Sequence, residues 1–133
     1  MKYVAIDFDG TIAKHEYPDI GEEVPDAFRV MKILKRLGYG LILYTMRSDT
    51  EQEGKPHRST LTEAAEFCKE RGIEFDWINE NPEQLNWTDS KKIYASHYID
   101  DNAIGCPLIY PEEGRPYVDW NEVEILFLQK VSR

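Results

Sequence analysis

Cysteine is scarce in this sequence, and the two that occur, Cys68 and Cys106, are far apart and fit no metal-binding spacing. That excludes a disulfide scaffold and a zinc ribbon. In a reducing compartment both thiols are expected to be small buried hydrophobes. Basic residues are also in short supply, with 16 Lys and Arg against 25 Asp and Glu and a formal net charge of −9. A surface of that sign repels nucleic-acid backbones and anionic membranes, so neither is an expected partner. No apolar run approaches the roughly 20 residues of a membrane-spanning helix; Ile125-Leu126-Phe127-Leu128 is among the longest. Internal repeats and linker-like stretches are missing too. A core strand is expected within a few residues of Met1, which leaves no space for a signal peptide, so the expected location is cytoplasmic.

What is present is a globular composition, 41% hydrophobic over 133 residues. That is the size of one domain, and residues 1–133 are read as one. The chain is organised around Val4-Ala5-Ile6-Asp7-Phe8-Asp9-Gly10-Thr11. Its apolar run has the continuous hydrophobicity of a parallel strand covered on both faces. In open α/β sheets ligands bind just past the carboxyl ends of such strands. Asp7 and Asp9 are expected to point to the same side while the chain stays extended. Two adjacent carboxylates repel unless a cation compensates, and Mg²⁺, a hard cation with oxygen ligands, is the natural one. An Asp-x-Asp-Gly stretch can also simply mark a strand-ending turn.

The polar segment from Lys14 to Glu23 reads as a surface loop or short hairpin near the site, with His15 and Tyr17 as solvated residues. The spacing of Ala27, Val30, Leu34 and Leu37, with Met31 beside them, predicts a helix over 25–37 that starts at Pro25 and is ended by Gly38. Residues 41–44 read as a second strand ending at Thr45, and 48–58 as a loop. Thr60 and Glu63 form a capping-box pattern, and Leu61, Ala64, Ala65 and Cys68 give a helix that stops at Gly72. Residues 73–78 read as a third strand and 79–90 as irregular connection, with Trp77 and Trp87 expected in packing roles. A short helical segment is expected over 91–96, a fourth strand over 97–99, a fifth, edge-like strand over 107–110, and a turn over 111–116. Asp119 and Glu122 then cap a last helix with Val123, Leu126 and Phe127 on one face. This alternation argues for a single α/β domain with a parallel sheet.

Polar groups stand at or just after three strand ends: Asp7, Asp9 and Thr11; Thr45 and Arg47; and Asp100 and Asp101. Lys92 precedes the last pair. In this order the sequence resembles the haloacid dehalogenase superfamily. Asp7-Phe8-Asp9-Gly10-Thr11 is similar to its first motif and Leu41-Ile42-Leu43-Tyr44-Thr45 to its second. Lys92 is similar to its third, and Ile99-Asp100-Asp101 to its fourth. The resemblance implies a Rossmann-like three-layer sandwich with a central parallel sheet of order 3-2-1-4-5. It implies a Mg²⁺-dependent phosphomonoesterase in which Asp7 attacks phosphorus and becomes an aspartyl phosphate. Asp9 would protonate the leaving oxygen and then take a proton from the hydrolytic water. Thr45 would hydrogen-bond the phosphoryl group, and Lys92 would neutralise its charge. Mg²⁺ would be held by the Asp7 carboxylate, the Asp9 backbone carbonyl and an acid of the Asp100-Asp101 pair. Thr11 and Arg47 complete the set as substrate-binding residues. Asp9 separates branches of the superfamily: dehalogenases lack this acid and cation-pumping ATPases carry threonine there, so its presence favours a phosphatase or phosphomutase. Between Lys91 and Lys92 only the spacing chooses.

Three other readings compete: a non-catalytic metal- or phosphate-binding module on the same fold, a phosphatase of phosphoproteins or nucleic-acid ends, and a phospho-receiver domain. The receiver places its acidic pair first and its phosphorylated aspartate on a later strand, which this order does not fit. Neither the segment after Thr11 nor that between Thr45 and Lys92 has room for a cap domain. An open site over a small phosphorylated metabolite then calls for closure by the 48–58 loop or by a second subunit in a homo-oligomer.

Overall fold

In the computed structural model, which describes residues 1–131, the apolar run Tyr3–Ile6 forms strand β1 and is buried at every position. It lies between two parallel neighbours, β2 (Gly40–Leu43) and β4 (His97–Ile99), and β3 (Trp77–Ile78) flanks β2. The sheet order is β3-β2-β1-β4. Register sets Ala5 between Ile42 and Tyr98, and Ile6 between Leu43 and Ile99. The first strand is therefore central, and the chain leaves it to one side and returns on the other. This is the switch-point geometry that opens a crevice at strand ends in a Rossmann-like sheet.

The expected order 3-2-1-4-5 holds for four strands only. Leu108–Ile109 (β5) pairs antiparallel with Tyr117–Val118 (β6) in a separate two-stranded sheet. Residues 100–107 are too few for the crossover of about a dozen residues that a parallel neighbour needs, whereas a turn over 111–116 closes a local hairpin. The second hairpin strand falls where the sequence reading saw only the approach to the last helix.

Three helices follow the predicted periodicity: α1 (Ala27–Arg36), α2 (Thr60–Glu70) and α3 (Trp120–Val131). α1 starts late because Asp26, at φ 67°, sits left-handed at its N-cap. Ser59, not Thr60, occupies the N-cap position of α2, without a side-chain capping bond, and the Glu63 carboxylate pairs with Arg58 instead of closing a capping box. Asp119 Oδ1 accepts from Glu122 N at the start of α3, as expected.

The side-chain alternation of β1 and β2 sorts the core into two unequal halves. Val4, Ile6, Leu41 and Leu43 face all three helices, meeting Val30, Met31 and Leu34 of α1, Ala64 and Cys68 of α2, and Trp120, Val123 and Phe127 of α3. Tyr3, Ala5 and Ile42 face the other way, onto Ile93, Ala95 and Trp77. Two successive right-handed crossovers stepping in one direction put α1 and α2 on one face. The return from β3 to β4 must then cross the other face. It does so over residues 79–96 with a single 3₁₀ turn, Pro82–Asn86, and no α-helix. The helical segment expected over 91–96 is bent, irregular chain. Gln84, buried, takes the place of helical hydrogen bonds: its amide donates to Ser90 O and Lys92 O and accepts from Tyr94 N. The third layer of the expected sandwich is thus thin and non-helical. Among the described residues no helix is long and apolar enough to cross a membrane.

Candidate functional site

Strand pairing continues one residue past β1 and β2, since Asp7 N donates to Ile99 O and Tyr44 N to Ile6 O. The chain then turns at Phe8, whose ring is buried among the helices and whose carbonyl accepts from the amides of Thr11, Ile12 and Ala13. Past this turn the two aspartates have different partners. Asp7 joins Asp100 and Asp101, with one carboxylate oxygen from each lying within 4.8 Å of the others. Asp9 instead faces Arg47.

Thr11, fully buried, donates from Oγ1 to Asp7 Oδ2 at 3.1 Å and accepts from Asp101 N at 3.2 Å. Its hydroxyl is spent on the acidic cluster, so it positions carboxylates rather than touching a substrate as expected. Asp101 Oδ2 lies 2.8 Å from His15 Nε2, while Asp101 Oδ1 is buried without a hydrogen-bond partner. Gly10, at φ +84°, passes directly beneath this pair, where a Cβ would collide with both His15 Nε2 and Asp101 Oδ2. Burial, followed by the charges of Asp100 and Asp101, pushes the Asp7 carboxyl up to about 8. Three converging carboxylates and an unpartnered buried oxygen are a donor set that fits a hard divalent cation. Both Asp100 and Asp101 belong to it.

Arg47 is 2% exposed and forks onto Asp9, Nε to Oδ2 and Nη2 to Oδ1, both at 2.9 Å. Its remaining donors reach the carbonyls of Pro18, Asp19 and Thr60 at 3.1, 2.7 and 3.4 Å. The guanidinium carbon lies 5.0 Å from the Phe8 ring centroid and 5.1 Å from that of Tyr17. The substrate-binding role expected of Arg47 is therefore corrected: every face of the guanidinium is occupied, and it fastens Asp9 to the 14–24 loop and the start of α2. Thr45 stands at the end of β2 with its amide on Asn79 Oδ1 at 2.9 Å and its Oγ1 accepting from Arg47 N at 3.2 Å. Its hydroxyl proton is left free to donate.

Lys92 lies exposed on the 79–96 crossover, and so does Lys91. Neither forms an ion pair among those found for the described residues, and the short helix expected to begin at this pair does not form. His15, read as solvated, is mostly buried against Asp101. Trp87, read as packing, is exposed beside Tyr94. Three supports had no signal in the motif pattern. Asn79, at φ 53°, holds the end of β2. Trp120 Nε1 donates to Thr11 O at 2.7 Å, and Val118 N to Gly10 O at 3.0 Å.

A solved structure described as that of a conserved protein from Bacteroides thetaiotaomicron is 36% identical to this chain, with a TM-score of 0.72 over 97% of this chain and 91% of that one. The chain belongs to the family of that protein. No protein-family model matches the chain, and no curated protein does. The chemistry of the site is therefore read from its geometry.

Proposed function

We propose that this family member is a Mg²⁺-dependent phosphomonoesterase of the haloacid dehalogenase type, acting on a small phosphorylated molecule through an aspartyl phosphate. The observation that carries this reading is the convergence of Asp7, Asp100 and Asp101 at the carboxyl end of the central strand, around the unpartnered Asp101 Oδ1. Those three carboxylates, with the Asp9 backbone carbonyl, would hold the cation. When bound, it offsets the repulsion among the carboxylates and neutralises phosphoryl oxygens. Thr11 fixes one oxygen of Asp7 and leaves the other to attack phosphorus. As the new P–O bond forms, the ester P–O bond breaks, and the leaving oxygen takes a proton from Asp9. Thr45 donates its hydroxyl to a phosphoryl oxygen. Water then attacks the acyl phosphate, returns its proton to Asp9 and releases inorganic phosphate and the Asp7 carboxylate. Arg47 holds Asp9 in place throughout. Its three carbonyl contacts let it stay put while one of its two bonds to Asp9 loosens for proton transfer.

A second reading, a non-catalytic module that binds a cation and phosphate, is favoured by two observations. Both Asp9 oxygens are taken by Arg47, and Lys92 forms no ion pair among those found for the described residues. Hydrolysis of a generic aryl phosphate separates the two. Turnover that requires Mg²⁺ and vanishes in Asp7→Asn supports the phosphatase. Mg²⁺-dependent phosphate binding without turnover supports the module.

A further inference from the structure

The proposed reaction leaves open what the phosphate is attached to, and the thin side of the sheet bears on that. Alternation along β1 carries Tyr3, Ala5 and then Asp7 to the face opposite the helices. The same alternation carries Ile42 and Tyr44 there from β2, and Tyr98 and Asp100 from β4. Tyr44 and Tyr98 stand on the two strands that flank β1. Their rings meet over it, with centroids 6.5 Å apart and planes tilted by 55°. Ala5, the β1 partner of Tyr98, is small enough to let the rings converge, and continuing the β1–β2 register sets Tyr44 level with Asp7. The next residue of β1 on this face is Asp7.

In most three-layer sandwiches a crossover helix would bury such rings. Here the crossover is irregular chain, and Tyr44 and Tyr98 remain 40% and 42% exposed. Tyr98 is nonetheless rigidly set: its hydroxyl donates to Ile93 O at 2.6 Å and accepts from Ala95 N at 3.2 Å. Tyr44 is anchored by its own amide on Ile6 O at 2.8 Å. The result is a preorganised, open pair of aromatic faces next to the acidic cluster. Aromatic faces bind flat rings by stacking, largely independent of charge. A chain of net charge −9 has need of an uncharged handle for an anionic substrate.

We infer that Tyr44 and Tyr98 seat the leaving group, and that the substrate class is a small phosphomonoester of a ring-bearing alcohol, aryl or heteroaromatic, rather than an aliphatic or sugar phosphate. This rests on the phosphatase reading for the chemistry but not for the binding.

The test is binding of phenylphosphonate and propylphosphonate, which cannot be hydrolysed, to the Mg²⁺-loaded protein. Affinity is read by titration and the tyrosine ring signals by NMR. Phenylphosphonate is expected to bind about tenfold more tightly, the size of a modest stacking contact, and to move the Tyr44 and Tyr98 ring signals. Tyr44→Ala brings its affinity down towards that of propylphosphonate, while Tyr44→Phe keeps the preference. Equal affinities, no binding of either, or a preference that survives Tyr44→Ala overturns the inference, and unmoved ring signals in the wild-type chain overturn it without any variant. Phenyl phosphate turnover is followed in parallel. A ring preference without turnover sinks the phosphatase reading alone, and turnover without a ring preference sinks the ring seat alone.

Discussion

Both carboxylate oxygens of Asp9 accept from the Arg47 guanidinium at 2.9 Å, inside a pocket where the arginine side chain is 1% exposed. A pair buried this deeply costs much more to break than an exposed one, because the surviving charge is left unpaired. Arg47→Ala should therefore destabilise the chain by about 3–5 kcal/mol, measured by urea unfolding. Arg47→Lys keeps the charge but loses the fork. It should remain folded and lose at least about tenfold in kcat, because Asp9 is held differently. A kcat like wild type in Arg47→Lys would show that the fork serves the fold alone.

The Asp7 carboxyl sets a pH dependence. In the folded chain burial and the Asp100 and Asp101 charges hold it at about 8, against an ordinary 3.8. Between those values the folded state keeps a proton that the unfolded chain has lost, so metal-free stability falls as pH rises across that window. Under the proposed function Mg²⁺ would replace that proton, and its stabilising effect should be larger at pH 8 than at pH 5. Thermal unfolding with EDTA and with millimolar Mg²⁺ at several pH values checks this. A metal-free Tm that rises steadily from pH 5 to pH 8 contradicts it.

Gly10 and His15 together fix Asp101. Gly10→Ala would strain a backbone at φ +84° and push against both side chains of the pair. His15→Ala would remove the partner of Asp101 Oδ2. Each should weaken Mg²⁺ affinity by about 10- to 100-fold, the usual cost of losing the support behind a ligand. Calorimetric titration of Mg²⁺ reads this directly, and unchanged affinity in His15→Ala removes His15 from the site.

Lys92→Ala and Lys91→Ala should both keep activity within about twofold of wild type, as solvated surface changes do. A loss of orders of magnitude in Lys92→Ala would instead give Lys92 the phosphate-neutralising role that the resemblance implies.

How much of this was legible in the sequence depended on whether the signal was local. Continuous apolar runs marked Tyr3–Ile6 and Gly40–Leu43, and helical spacing marked all three helices, because a buried face leaves a period in the chain. The acidic cluster was legible because each member sits at a strand end. The Asp9–Arg47 fork was not, since nothing in a Thr-x-Arg spacing tells whether the arginine turns outward to a ligand or inward to an acid. The short helix expected over 91–96 failed for a related reason. A Lys-Lys pair ahead of an apolar stretch suits a helix, but Gln84 binds that backbone from a distance and holds it irregular. The β6 strand was missed because two residues are too few to show alternation.

The bond from Trp120 Nε1 to Thr11 O joins residues 109 positions apart, and Val118 ties the neighbouring Gly10 in the same way. On a ribosome the first loop emerges 109 residues ahead of the Trp120 donor that steadies it. Until Val118 and Trp120 follow, that loop is only partly fastened. A nascent chain arrested before Val118 would carry all four acids of the motifs and still lack the support that sets the loop bearing two of them.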